Sequence, residues 1–180
     1  VAELMTSRQV AKSDSWSVQA FLDDVDQHGI PIRIVADGLA LNSAGAAIRL
    51  LQADDSRLPL DADDNASSLV VVIEYAGRRI ILPGDLEFEG AHELLSDMAA
   101  TDVLVSPHHG ATTANTAQLA SVVQPRHVIV SARDASSMEH LSTVYSAAEG
   151  IYHTSESGAV CIEIRENGEL TISEHRSARK

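Results

Sequence analysis

The sequence predicts an α/β protein in which helices pack outside β-sheets, and three observations carry that prediction. The apolar fraction is 44% while only 3% of residues are aromatic, so a core has to be built from Val, Ile, Leu and Ala, which suits buried strands and close helix contacts. From about Thr101 onward, short apolar runs alternate with segments of helical period, with paired β-branched runs before and after them. At 180 residues the chain is long enough for one domain with a real core and short for two. Residues 1–180 are therefore expected to form a single domain.

Each element follows from local pattern. In "SWSVQAFLDDVDQHG", Trp16, Ala20, Phe21 and Val25 recur near helical spacing, with Asp14 or Ser15 available as an N-cap and Gly29 as a stop. "IPIRIVADG" and "AAIRLLQ" read as strands, and "ADDSRLPLDADDNAS" as a solvated acidic loop with no apolar period. "SSLVVVIEYAGRRIILPGD" is a β-hairpin turning at Ala76-Gly77 and ending at Pro83-Gly84-Asp85. "LEFEGAHELLSDMAA" suits a helix with acidic residues in its first turn, where the dipole favours them. "TDVLVSP" then reads as a buried strand, "NTAQLASVVQP" as a helix ended by Pro125, "RHVIVSA" as a strand, and "LSTVYSAAEG" as a helix stopped by Gly150. "IYHT", "AVCIEI" and "LTISEH" close the chain as strands, the last two joined by an Asn167-Gly168 turn.

The formal net charge of −13, from 26 acidic and 13 basic side chains, leaves no basic track for a phosphate backbone, because lysine occurs only at Lys12 and Lys180. That balance does not exclude a hydrolase whose metal ions supply positive charge locally. Cys161 is the sole cysteine, which excludes an intrachain disulfide and a thiolate zinc cluster. No apolar stretch is long enough to span a bilayer, and no leader pattern opens the chain.

Polar residues that could carry chemistry cluster after predicted strands. Asp85 follows "RRIILPG", His108 and His109 follow "DVLVSP", and His140 follows "HVIVSARDASSME". In open α/β sheets that edge is where ligands bind, and one carboxylate with imidazoles suits zinc, manganese or iron. Taken singly, each has a plainer explanation. Pro-Gly-Asp is a common turn, a loop histidine such as His140 is usually solvated, and only the adjacent His108-His109 pair is uncommon at a strand end. His28, His92, His127, His153 and His175 have no partner at ligand spacing and read as structural or solvated. Asp61, Asp63 and Asp64 lack the glycine and terminal glutamate of a calcium loop.

The stretches "NASSLVVVIEYAGRRIILPGDLE", "DVLVSPHHGATT", "QPRHVIVSA" and "MEHLSTVYSAAEGIYHTSESGAVCIEI" together resemble the metallo-β-lactamase-fold domain at the C-terminus of ComEC-type DNA-internalisation competence proteins, in order and at compatible spacing from Asn65 to Ile164. The resemblance implies an αββα sandwich, represented mainly by its second half. It implies that Asp85 touches or bridges two metal ions, that one of His108 and His109 is a ligand while its neighbour reaches the substrate, and that His140 ligates metal or stabilises the leaving oxygen. The metal would be zinc, two ions in the complete fold, with manganese as an alternative. It further implies metal-dependent phosphodiester hydrolysis, DNA as a substrate, a membrane channel attached upstream, and a place in the bacterial cell envelope. Ser106 and Thr112 stand close enough in sequence to orient the imidazoles.

Two departures weigh against a complete site. Leu141 follows His140 where the family commonly has proline. More seriously, the His-x-His-x-Asp-His motif that supplies most of the family's metal ligands is absent. The initial Val1, in place of methionine, leads to the expectation of an N-terminally truncated domain whose first motif lies upstream, with Met5 as an internal start being the other reading. The competing functional class is a non-catalytic remnant or interaction module in which the histidines have lost their task.

Overall fold

The computed structural model describes residues 2–35, 38–54, 56–59 and 64–176, without the side chain of residue 64. Asp61 and Asp63, and the side chain of Asp64, lie outside the described residues, as does the middle of the acidic loop.

In chain order the elements are β1 (Leu4–Thr6), α1 (Arg8–Lys12), α2 (Trp16–Gln27), β2 (Ile32–Ile34), β3 (Leu39–Ser43), β4 (Ala46–Leu51), β5 (Val70–Tyr75), β6 (Arg78–Leu82), α3 (Phe88–Leu94), β7 (Val103–Val105), α4 (Ala117–Val123), β8 (His127–Val130), α5 (Met138–Val144), β9 (Gly150–His153), α6 (Thr154–Ser157), β10 (Ala159–Ile164) and β11 (Leu170–His175). Among the described residues, a 3₁₀ turn at Asp64–Ser67 precedes β5 and another at Pro107–Gly110 lies between β7 and α4. Seven strands form one sheet in the order β3-β4-β5-β6-β7-β8-β9. Its first half, β3 to β6, is an antiparallel meander, and from β6 to β9 neighbouring strands run parallel. The remaining strands pair two by two, β1 with β2 in parallel and β10 with β11 antiparallel.

Strand alternation decides where the core lies. Leu51, Val70, Val72, Ile81, Leu104, Val128 and Val130 are buried on one face of the large sheet, together with Leu94 of α3, Leu119 and Val123 of α4, and Leu141 of α5. Their immediate neighbours Val71, Ile73, Ile80 and Leu82, which the pleat turns to the opposite face, are only half-buried. The parallel strands are connected through α3, α4 and α5, as parallel pairing requires. No helix among the described residues is long and apolar enough to cross a membrane.

The structure corrects the sequence reading at several elements. The helix expected to run to Gly150 stops at Val144, and Gly150 instead opens β9 opposite His127. A glycine was a plausible stop by conformation, but here the register of the parallel sheet claims it. The helix expected over "LEFEGAHELLSDMAA" is confined to Phe88–Leu94. Strands β1 and β3 and the short helix α1 were not foreseen; "LALNS" carries too few β-branched residues to stand out, and it is recruited by pairing with β4.

Candidate metal and hydrolytic site

Because β6, β7, β8 and β9 are parallel, their C-terminal ends open at one edge, and the segments that follow them converge there. The segment after β6 carries Asp85 and Glu87, and the one after β7 carries Pro107-His108-His109-Gly110. The loop after β8 contributes Ser131 to Ser137, and β9 leads directly into Thr154. A cleft of about 840 Å³ lies at this edge, lined by His108, His109, Ser131, Arg133, Asp134 and Thr154 among others. Within it, the side-chain and backbone donors of Ser136 hold the Asp134 carboxyl below its ordinary value.

The two histidines are presented by an unusual backbone. His108 and His109 have φ of 46° and 54°, and Gly110 follows at 87°. Left-handed conformations cost a residue with a Cβ about 1–3 kcal/mol each, so two in succession have to be held by their surroundings. Gly110 has no alternative: a Cβ there would lie 2.9 Å from both Ser137 Oγ and Val130 Cγ1.

This backbone sends the two rings to different carboxylates. His109 donates its Nδ1 proton to the Ser131 carbonyl at 2.8 Å, because a carbonyl can only accept. Its Nε2 faces Asp85 Oδ1 at 3.5 Å, with both side chains substantially exposed at 64% and 46%. With Nδ1 donating to a carbonyl, Nε2 presents a lone pair toward Asp85, so two acceptors face one another across a gap that a metal ion can bridge. Two donors held about 2.0–2.1 Å from a tetrahedral zinc stand about 3.4 Å apart, which matches this pair, and a ligand imidazole commonly anchors its other nitrogen on a backbone carbonyl. His108, by contrast, directs Nδ1 at the Glu87 carboxylate in direct contact, and Glu87 is the less exposed partner at 15%.

His140 does not join them. It sits inside α5, not in a loop beyond a strand, and its Nε2 donates to the Asn115 carbonyl at 2.8 Å. The fit to a metal is therefore partial: Asp85 and His109 supply two suitably spaced donors, and among the described residues no group of three or more His, Cys, Asp or Glu converges to hold an ion. The described residues do not supply a dinuclear centre.

Of the suggested orienting residues, Ser106 donates to Asn115 Oδ1 at 2.7 Å and to no imidazole, and the exposed Thr112 makes no side-chain hydrogen bond among the described residues. Glu87 and Asn115 are the contacts that sequence reasoning missed. Glu87 stands two residues beyond Asp85 where a helix dipole already accounts for an acid. Asn115 stands where a helix begins, a place that an asparagine also occupies for capping.

No protein-family model matches the chain. ComE operon protein 3 of Bacillus subtilis is 32% identical over 108 residues, 59% of this chain and 14% of that protein. Competence protein ComA of Neisseria gonorrhoeae is 28% identical over 81 residues, 43% of this chain and 12% of that protein. The chain thus spans a small part of either relative's length. Among solved structures, a metal-dependent hydrolase of Parabacteroides distasonis superposes with a TM-score of 0.53 at 14% identity, over 74% of this chain and 61% of that one, a likeness of fold. The chain is accordingly a mixed α/β protein that shares the fold of that Parabacteroides structure and is similar in sequence to the ComEC-type competence proteins.

Proposed function

We propose that this chain contributes part of the site of a metal-dependent phosphodiesterase, with zinc or manganese as the ion. The observation that carries the reading is the Asp85–His109 pair, two acceptors 3.5 Å apart at the C-terminal edge of adjacent parallel strands. Asp85 and His109 would hold the ion, which when bound polarises a phosphoryl oxygen and lowers the pKa of a water. His108, its Nδ1 anchored by Glu87, keeps Nε2 available for the substrate or for a proton on the leaving oxygen. Two ligands do not suffice for efficient hydrolysis, so the reading requires further ligands from a segment joined to or bound by this chain. Likeness to competence proteins favours a DNA strand as substrate, in a protein of the bacterial envelope that also carries a membrane channel.

The second reading, a non-catalytic module, is favoured by the engagement of His108 and His140 with Glu87 and Asn115, which leaves only Asp85 and His109 to face each other. Metal analysis by inductively coupled plasma mass spectrometry separates the two. Near-stoichiometric zinc or manganese on the purified chain, lost in an Asp85→Ala, His109→Ala double variant, is the expected result. Absence of metal from the wild type after loading, with no turnover of bis-p-nitrophenyl phosphate or single-stranded DNA, would leave the second reading standing.

A further inference from the structure

We propose that Asn115 is the positioning residue that holds the His108-His109 turn in its left-handed form. Its task for catalysis rests on the reading of those histidines given above; its task for the backbone does not. Asn115 is completely buried, and its amide group has each of its bonding positions used. Nδ2 donates to the Pro107 carbonyl at 3.1 Å and to the Ala111 carbonyl at 2.7 Å. Oδ1 accepts from the Ser106 hydroxyl at 2.7 Å and from the Tyr145 hydroxyl at 2.8 Å.

The two carbonyls settle which end of the amide is nitrogen, since neither can donate. They also flank the strained residues: Pro107 precedes His108, and Ala111 follows Gly110. One planar group therefore pins both ends of the turn. Two hydroxyls from different elements, Ser106 after β7 and Tyr145 after α5, fix the plane of that group. Burial pushes the Tyr145 phenol up, so its proton stays in place as a donor. The main chain of Asn115 extends the arrangement, its N–H donating to the Ala111 carbonyl at 3.1 Å and its carbonyl accepting from His140. His140 thus acts on the turn from behind, through Asn115.

No other side chain of this shape can replace the amide. A carboxylate would turn an acceptor toward the two carbonyls, and a leucine would remove the side-chain donors to both carbonyls and leave the Ser106 and Tyr145 hydroxyls without their acceptor.

The test is an Asn115→Asp variant in ¹³C,¹⁵N-labelled protein, read by the Cα and Cβ shifts of His108 and His109 and by amide exchange at Ala111, whose N–H closes the turn on the His108 carbonyl. Left-handed shifts at both histidines in the wild type, lost in the variant together with roughly tenfold faster exchange at Ala111, are the expected outcome, with the β5–β6 hairpin unchanged. A folded variant that keeps both histidine shifts overturns the proposal. Should Asn115→Asp not fold, Tyr145→Phe and Ser106→Ala each remove one donor to Oδ1, and unchanged shifts in both would overturn it equally. None of these readouts uses metal or substrate. A separate zinc titration of Asn115→Asp, expected to show 10–100-fold weaker binding, tests the catalytic consequence; wild-type protein that takes no zinc sinks the phosphodiesterase reading and leaves the clamp to be judged on its shifts.

Discussion

At the scale of single residues, the two adjacent histidines differ in what holds them, and that difference is measurable without any assay of function. Both rings give their Nδ1 proton away, His109 to a carbonyl and His108 to a carboxylate. In the neutral ring, both should therefore populate the Nδ1–H tautomer. Long-range ¹H–¹⁵N correlation spectra report the tautomer directly. Glu87→Ala is expected to remove the Nδ1–H signature at His108 and to leave His109 as it was. Retention at His108 would show that Glu87 does not select its state, and loss at both rings would show that the effect is not confined to that contact. The Glu87 contact also explains why equal sequence neighbours need not have equal roles: only one of them keeps an exposed nitrogen opposite Asp85.

Among elements, α3 sets the position of Glu87, because Glu87 is its N-cap. The helix is seated on the 3₁₀ turn Asp64–Ser67 by Gly90, where a Cβ would come within 1.7 Å of the Ala66 carbonyl oxygen and 2.8 Å of Leu86 Cδ1. Intrinsic propensity favours alanine over glycine within a helix by about 1 kcal/mol. The backbone of Ala66 cannot move aside as a flexible side chain would, so Gly90→Ala is expected to destabilise by about 3 kcal/mol, read as a lowered denaturation midpoint. An unchanged or raised midpoint would mean that the two elements are not in contact as described. The same comparison shows what was legible beforehand. The β5–β6 hairpin, β7 and β8 announced themselves through β-branched runs and turn residues, and Asp85, His108 and His109 through their place after those strands. Glu87, Gly90 and Asn115 did not, because each acts across a sequence gap that only the sheet closes: His108 lies 21 residues from Glu87, and Tyr145 lies 30 from Asn115. His140 was legible as a candidate but not as a helix residue facing Asn115, since its partner is a main-chain carbonyl that no side-chain pattern encodes.

Over the whole molecule, the parallel sheet separates two tasks onto its two ends. The C-terminal ends present the imidazoles and carboxylates of the candidate site, while the opposite end is closed by an ionic group centred on Asp102. Asp102 accepts from Arg78 Nη1 and from the Arg79 backbone N–H, each at 2.9 Å, and lies 3.5 Å from Arg126 Nη1. Arg78 also donates from Nε to the Gly168 carbonyl at 2.7 Å, so the same group ties the β10–β11 hairpin to the large sheet. Burial alone would push the Asp102 carboxyl up, but the Arg79 N–H, the Arg78 hydrogen bond and the charges of Arg78 and Arg126 outweigh it, and the carboxyl lies below its ordinary value of 3.8. A carboxyl depressed in the folded state binds its proton more readily when unfolded. Its stabilising contribution is therefore complete above the unfolded value and is lost as pH falls through the lower, folded one. In a chain of formal charge −13, general acidification works the other way at first, because protonating other carboxylates relieves their mutual repulsion. Stability of the wild type alone cannot separate these effects, but its difference from Asp102→Asn can, since both proteins share every other carboxylate. That difference is expected to be about 2 kcal/mol in favour of the wild type at neutral pH and to shrink toward zero as pH drops below 3.8, measured by urea denaturation across the acid range. A difference that stays constant over that range would assign the loss to the shape of the asparagine and not to the missing charge, and would remove Asp102 as the electrostatic tie between the sheet and its final hairpin.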